Sequence, residues 1–310
     1  LLYPQLMWQV WKLGRVDAVV SMTDPPLQVA AVTLASGRAA KRIHWAQDIY
    51  PELAEELGVI GRGGLFARVL RNVSTWALRK QDEVVAVGRC MRERLIARGV
   101  DARSIVIIPN WSPIAEPSEE SAAGMRRRMG WGDEFVALYS GNLGLAHDFN
   151  TLAEVSKILR GSRVRMVFAG EGPRLQEAKA ANAGSDNVSF IPPQPKEDLA
   201  AFLAAADAHL VTVRENLGGL VVPSKIYGIL AAGRPVVCVG PAGSEVARIV
   251  DESGAGMTVK NGDAAAVAAF LKDLSSNPVA AVAVGEKARV AAKEFTFAKA
   301  LEKWREILEA

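Results

Sequence analysis

Ten short apolar runs rich in β-branched residues recur along this chain, with stretches of helical spacing between them. The early runs are Asp17–Met22, Arg42–Gln47, Glu83–Val87 and Ser104–Pro109. The later ones are Phe135–Ser140, Arg165–Gly170, Val188–Ile191, His209–Val213, Pro235–Gly240 and Gly256–Lys260. Helices are predicted near 26–35, 65–80 and 89–99, then near 148–160, 173–182, 196–205, 223–232, 243–252, 263–275 and 296–309. A continuous apolar run has no inside–outside alternation, so both of its faces must be covered. Helices between successive runs return the chain for parallel pairing. The expectation is an α/β protein with doubly wound parallel sheets, which bind ligands beyond the carboxyl ends of their strands.

The 310 residues amount to about two domains. Pro109, Pro113 and Pro117 fall within one short segment that can continue neither a helix nor a central strand. That segment is read as the linker, dividing the chain into 1–112 and 113–310, with the last helix a candidate to cross back to the first domain. A hydrophobic share of 50% and a charged share of 23% exclude intrinsic disorder. No apolar run approaches the roughly 20 residues of a spanning helix. Cys90 and Cys238 are too few and too far apart for a disulfide framework, a usage that suits a reducing cytoplasm. Leu1-Leu2-Tyr3 supplies neither an initiator Met nor a charged segment ahead of an apolar one, so no signal peptide is expected and an N-terminal piece is expected to be absent. Residues 1–112 carry 15 Lys and Arg against 10 Asp and Glu, and residues 113–310 carry 22 against 24. A basic first half and a near-neutral second half point to different neighbours for each, or to ordinary surface variation.

Three segments carry chemistry. Ser140-Gly141-Asn142-Leu143-Gly144 ends a strand ahead of a helix, where backbone can approach a ligand and a helix N-terminus can offer free N–H groups to an anion; tight turns use the same glycines. Gly170-Glu171-Gly172-Pro173-Arg174 also follows a strand, but Leu175 takes the third glycine position of a dinucleotide fingerprint, which argues against a dehydrogenase. In the segment from Gly219 to Pro235, Pro223 suits the start of a helix and Gly233 its end, with Ser224 and Lys225 in the first turn. A lysine opposes the helix dipole there, as expected if an anion arrives; a solvated lysine is the alternative.

Together with Trp45–Pro51, Val106–Trp111 and Gly243-Ser244-Glu245, these segments resemble glycosyltransferase family 4, closest to bacterial enzymes of O-antigen, capsule or colanic-acid synthesis, including the L-fucosamine-transferase type. The resemblance implies the GT-B fold, two Rossmann-like doubly wound domains facing a cleft, with acceptor bound by the first and donor by the second. It implies a retaining hexosyl- or N-acetylhexosaminyl-transferase using a nucleotide-diphosphate sugar, read as UDP-linked, and a lipid-linked or saccharide acceptor. No cofactor or metal is implied, because helix N-termini and basic side chains can stabilise the leaving diphosphate. His44, His147 and His209 are isolated, without metal-ligand spacing.

Carried onto this chain, the donor-binding residues are Gly141, Asn142, Gly144, Gly170, Gly172, Arg174, Gly219, Pro223, Ser224, Lys225 and Glu245. Asp48 and Lys225 are the candidate catalytic residues, Asp48 competing with a role as the cap of a helix at Pro51-Glu52. The chain also departs from the family. Its paired glutamates would fall at Leu220 and Gly228, its Arg and Lys after the first glycine turn at Asn142 and His147, and its His before the Asp at Gln47. The family's first strand and glycine-rich loop would precede Leu1, so the chain is expected to lack part of the first domain. A sugar-nucleotide 2-epimerase of the same architecture and a non-catalytic nucleotide-sugar-binding protein are the competing readings. A nucleic-acid partner is excluded for want of a basic stripe with interleaved aromatics.

The segment 64–80 reads as a helix with Arg68, Arg71, Arg79 and Lys80 beside Phe66, Leu70, Val73, Trp76 and Leu78. Interfacial helices combine such residues, so a cytoplasmic location with docking on the inner membrane face is expected. The alternative is that the apolar residues pack the helix on its sheet.

Overall fold

The structure, a computed structural model, describes residues 2–37, 39–112 and 114–309. Leu1 and the linker residue Pro113 lie outside the described residues. The chain forms two compact units: Leu1–Pro109 with Leu217–Val222 and Ala298–Ala310, and Asn110–Asn216 with Pro223–Phe297.

In the first unit β1 (Val16–Met22), β2 (Ala39–Ala46), β3 (Glu83–Ala86) and β4 (Ile105–Ile107) form a parallel sheet in that order. Met22 lies opposite Trp45, and Trp45 opposite Val85, so the carboxyl ends of neighbouring strands come out together. Helices Gln28–Ala35, Leu65–Leu78 and Arg89–Ala97 pack around this sheet. The chain's last helix, Phe297–Glu309, docks on this unit as well. There Trp304 meets Trp45 edge-on at 5.1 Å, and Lys303 Nζ donates to the Ile107 carbonyl at 3.2 Å.

The second unit holds β5 (Phe135–Ser140), β6 (Val164–Ala169), β7 (Val188–Ile191), β8 (Ala208–Thr212), β9 (Val236–Val239) and β10 (Gly256–Val259). The parallel order is β10-β9-β8-β5-β6-β7. Strand order reverses between β5 and β8, the topological switch point at which such sheets bind ligands. Alternate residues of β5 serve opposite cores. Phe135, Ala137 and Tyr139 pack with helices Phe149–Ile158 and Ala264–Ser276, while Val136 and Leu138 pack with Glu119–Arg128 and Leu199–Ala205. That two-sided burial is why the strand reads as an unbroken apolar run.

Among the described residues four helices escape the apolar periodicity: Leu2–Lys12, Glu52–Glu56, Glu119–Arg128 and Pro278–Ala292. The first buries no residue, and the second is barely more than a turn. Glu119–Arg128 is held by its ends, with Ser118 accepting from Ser121 N, acids in the first turn and arginines in the last. Pro278–Ala292 is alanine-rich, with Asn277 as its cap. Boundaries also shift. Leu217–Val222, read from sequence as part of the donor domain, belongs to the first unit, because Ile49 N donates to Leu220 O at 2.9 Å and Arg94 Nε to Gly218 O at 3.0 Å.

Candidate functional site

At the switch point β5 ends on Ser140 and the chain turns through Gly141. The neighbouring turn after β6 is interlocked with it. Leu143 N donates to Glu171 O at 2.7 Å, and Arg174 N donates to Leu143 O at 3.0 Å. Gly170 has φ 149°, and a Cβ there would lie 2.0 Å from the Gly141 carbonyl oxygen. A Cβ at Gly172 would lie 2.5 Å from Leu143 O. These glycines are required by loop-on-loop packing. Ser140, Gly141, Asn142, Gly170, Glu171, Gly172, Pro193 and Gln194 line an open cavity of about 560 Å³.

Lys225 begins the helix Lys225–Ala231, behind Ser224, whose side chain makes no cap bond. The lysine stem is partly exposed, but Nζ is shut off from solvent and, among the described residues, no group hydrogen-bonds to it. The ammonium lies 3.7 Å from the centre of the Tyr139 ring, close to Gly141, where a Cβ would meet Nζ at 3.3 Å. Burial pulls its pKa down to about 7. A buried cation without a counter-charge is costly unless it is paired, so this group favours an anion arriving at Gly141. His147 adds a neutral wall. Its Nδ1 donates to Thr212 O at 2.6 Å, and burial together with the Lys225 charge lowers its pKa to about 4.

The helix after the first glycine turn contributes no anion site, contrary to the sequence expectation. It starts at Phe149, and Asp148 occupies its amino end, accepting from Asn150 N at 3.1 Å and Thr151 N at 3.3 Å. A carboxylate there satisfies the free N–H groups and repels an anion.

In the first unit Asp48 follows β2, beside Thr23-Asp24 after β1. Thr23 Oγ1 accepts from Gln47 N at 2.9 Å and donates to Asp48 O at 3.3 Å, clamping the two strand ends. Tyr50 O accepts from Arg98 Nη1 at 3.0 Å and Ser74 Oγ at 3.2 Å, which fixes the following turn. Asp48 is half-buried, and burial, then the charge of Asp24, raises its pKa to about 6. It caps no helix: Glu52–Glu56 has Pro51 at its N-cap and no side-chain cap bond.

Residues 134–277 match the family model described as glycosyl transferases group 1, and residues 1–111 match the glycosyl transferase 4-like domain. The chain carries a glycosyl transferase 4-like domain followed by a glycosyl transferases group 1 domain. It is 28% identical over 267 residues to the probable glycosyltransferase WbjE of Pseudomonas aeruginosa, covering 84% of this chain and 66% of that protein. It is 28% identical over 260 residues to the putative colanic acid biosynthesis glycosyl transferase WcaI of Escherichia coli, covering 80% of this chain and 63% of that protein. The chain thus spans a little under two thirds of the length of these curated relatives. Among solved structures, HepE of Anabaena in complex with UDP superposes with a TM-score of 0.80 at 14% identity, covering 99% of this chain and 82% of that one. Sucrose-phosphate synthase of Thermosynechococcus elongatus gives 0.74 at 18% identity, covering 94% and 73%. The fold is GT-B.

Within the second unit, Gly141, Asn142, Gly170 and Gly172 come together around the cavity, and Lys225 stands beside Gly141. A Cβ at Gly144 would lie 3.1 Å from the Asn142 side chain, and Pro223 and Ser224 lead into the lysine. Arg174 is engaged elsewhere, pairing with Glu177 and donating to His147 O at 2.5 Å. Glu245 is buried at the start of helix Glu245–Ser253 and does not line the cavity. Gly219 sits in the first unit, where a Cβ would lie 2.7 Å from Cys90 O, so its close approach is to a helix backbone. Sequence reasoning missed Asp24 and Tyr139. Asp24 carried a signal, as an acid ending β1 just as Asp48 ends the run of β2. Tyr139 carried none, being one more apolar residue of β5. Among the described residues no three His, Cys, Asp or Glu side chains gather as a metal site.

Proposed function

We propose that this protein transfers a hexosyl or N-acetylhexosaminyl group from a UDP-linked sugar to a lipid-linked or saccharide acceptor in bacterial cell-surface polysaccharide synthesis, of the O-antigen, capsule or colanic-acid kind. The observation that carries the reading is the sealed, unpartnered Lys225 ammonium beside Gly141 at the switch point. A diphosphate placed there supplies the missing counter-charge. As the glycosidic bond breaks, the leaving UDP gains charge, and a pre-placed cation stabilises that charge without a metal. Retention of anomeric configuration is part of the proposal, on the family resemblance. The relative named for colanic acid biosynthesis and the neighbour bound to UDP agree with it. In this reading the second unit holds the donor, with Gly141, Asn142, Gly144 and the Gly170–Gly172 turn around the phosphates, sugar and base. Asp48 of the first unit orients the acceptor or takes its proton.

Incubation of the protein with UDP-glucose or UDP-N-acetylglucosamine tests this directly. UDP should be released only when lipid-linked saccharide from a bacterial membrane extract is added. Conversion of the free sugar nucleotide without acceptor would instead identify a 2-epimerase.

The proposal extends to the inner face of the cytoplasmic membrane. Leu65, Phe66, Val69, Val73 and Trp76 are all exposed, Leu65 by 80% and Phe66 by 63%. At 100° per residue they share one arc of the helix, while Ala67, Ser74, Ala77 and Leu78 face inward. That exposure supports docking over packing on the sheet for this stripe. Arg68 and Arg79 border it, and each basic residue near anionic lipid adds about 1 kcal/mol. Arg71 is taken up by Glu55 and Glu52, so it is no part of the basic face. Binding to anionic but not neutral vesicles, lost in a Phe66→Ser/Trp76→Ser variant and at high salt, is the expected result. No sedimentation with anionic vesicles at low salt refutes the docking.

A further inference from the structure

We infer that Tyr139 is the positioning residue of the phosphate end of this site, its ring holding the Lys225 ammonium beside Gly141 and its hydroxyl anchoring the adjoining loop. The inference rests on the reading of this cavity as a diphosphate site.

Tyr139 is fully buried one residue before the end of β5. Phe149 at 5.2 Å, His147 at 5.7 Å and Phe168 at 5.9 Å fix the plane of its ring. Those contacts would serve a phenylalanine equally well, so core packing does not account for the two features that remain. One is the hydroxyl, which donates to the Asn142 carbonyl at 2.8 Å and ties down the turn that lines the cavity. The other is the ring face, with Lys225 Nζ 3.7 Å from its centre. One side chain thus sets the place of the cation and of the backbone next to it.

The choice of an aromatic partner has a physical consequence. A carboxylate would hold Lys225 more firmly, but it would neutralise the cation and repel an incoming diphosphate. The ring attracts the ammonium through its quadrupole, excludes water and brings no net negative charge. Burial raises the pKa of the phenol above its ordinary value, so it remains neutral and remains a donor. The ammonium is therefore held in place yet free to exchange the ring for phosphate oxygen.

Calorimetric titration with UDP tests the assignment. Tyr139→Phe keeps the ring and removes the hydroxyl; affinity should fall about two- to tenfold, the worth of one neutral hydrogen bond. Tyr139→Leu removes both, and the loss should exceed that of Tyr139→Phe. In a Lys225→Ala background the leucine variant should lose no more than the phenylalanine variant, since the ring then has no cation to place. Equal losses for Tyr139→Leu with and without Lys225 would mean a merely structural residue and overturn the inference. No loss for Lys225→Ala itself would instead overturn the diphosphate reading. Should the leucine variant not fold, the Lys225 Cε protons of the unaltered protein decide: their ring-current shift should disappear on saturation with UDP. A shift unchanged by UDP would refute the exchange of ring for phosphate.

Discussion

Replacing Lys225 by methionine keeps most of its volume and removes its charge. Burial pulls the lysine to a pKa of about 7, against 10.5 ordinarily. Each tenfold change in a protonation equilibrium is worth about 1.4 kcal/mol, so the charged form is penalised in the fold by a few kcal/mol. The direction follows from proton counting. Between pH 7 and 10.5 the unfolded chain carries the lysine proton and the folded chain does not, so stability rises with pH across that window. Lys225→Met abolishes this slope and stabilises the protein most below pH 7, where the penalty is complete. It should also weaken UDP binding by about 1.5–3 kcal/mol, the worth of a hydrogen bond to a charged group, or roughly 10- to 150-fold in Kd. In the unaltered protein UDP affinity should decline above pH 7, as the empty site loses its ammonium. Titrations at pH 8 in buffers of different ionisation enthalpy should then show nearly one proton taken up per UDP bound. Thermal melts from pH 6 to 9 and these titrations are the assays. A methionine variant that binds UDP normally, or melts lower at pH 6, refutes the reasoning.

Asp48, held at a pKa of about 6 by burial and Asp24, is favoured neutral in the fold, so Asp48→Asn should raise Tm at pH 7 and leave it nearly unchanged at pH 4. The same variant should lose transferase activity, and full activity would remove Asp48 from the chemistry. Removing the Asp24 charge with Asp24→Asn should move the Asp48 titration, followed by carboxyl-carbon NMR, to lower pH; an unmoved midpoint excludes the coupling. Gly170→Ala should cost about 1–3 kcal/mol in chemical denaturation, because its Cβ meets the Gly141 carbonyl in a backbone conformation suited to glycine. Gly144→Val meets only the Asn142 side chain, so it should fold but fail to bind UDP.

The central strands were legible because burial on both faces leaves a run of apolar residues that no other element needs, as Phe135–Ser140 illustrates. Helices held by their ends, such as Glu119–Arg128, were not, since they lack an apolar stripe. The glycines were legible as tight places but not as to what approaches them: at Gly170 and Gly219 it is the protein's own backbone. Lys225 stood out because its charge opposes a helix dipole within one turn, which is local information. Tyr139 could not stand out, because its role depends on a cation far along the chain and a loop that folds back over its own strand. Helix Leu65–Leu78 shows the deeper reason. The sequence leaves its apolar residues two places, a membrane face or the sheet, and in the structure Ala67, Ser74 and Ala77 pack against the unit while Phe66 and Trp76 face out. Small residues allow close approach between elements, so the face of a helix that is buried need not be its most apolar one. An apolar stripe opposite a stripe of small residues is the pattern on which the proposed docking rests, and it took the packing of residues 65–78 to show which stripe is buried.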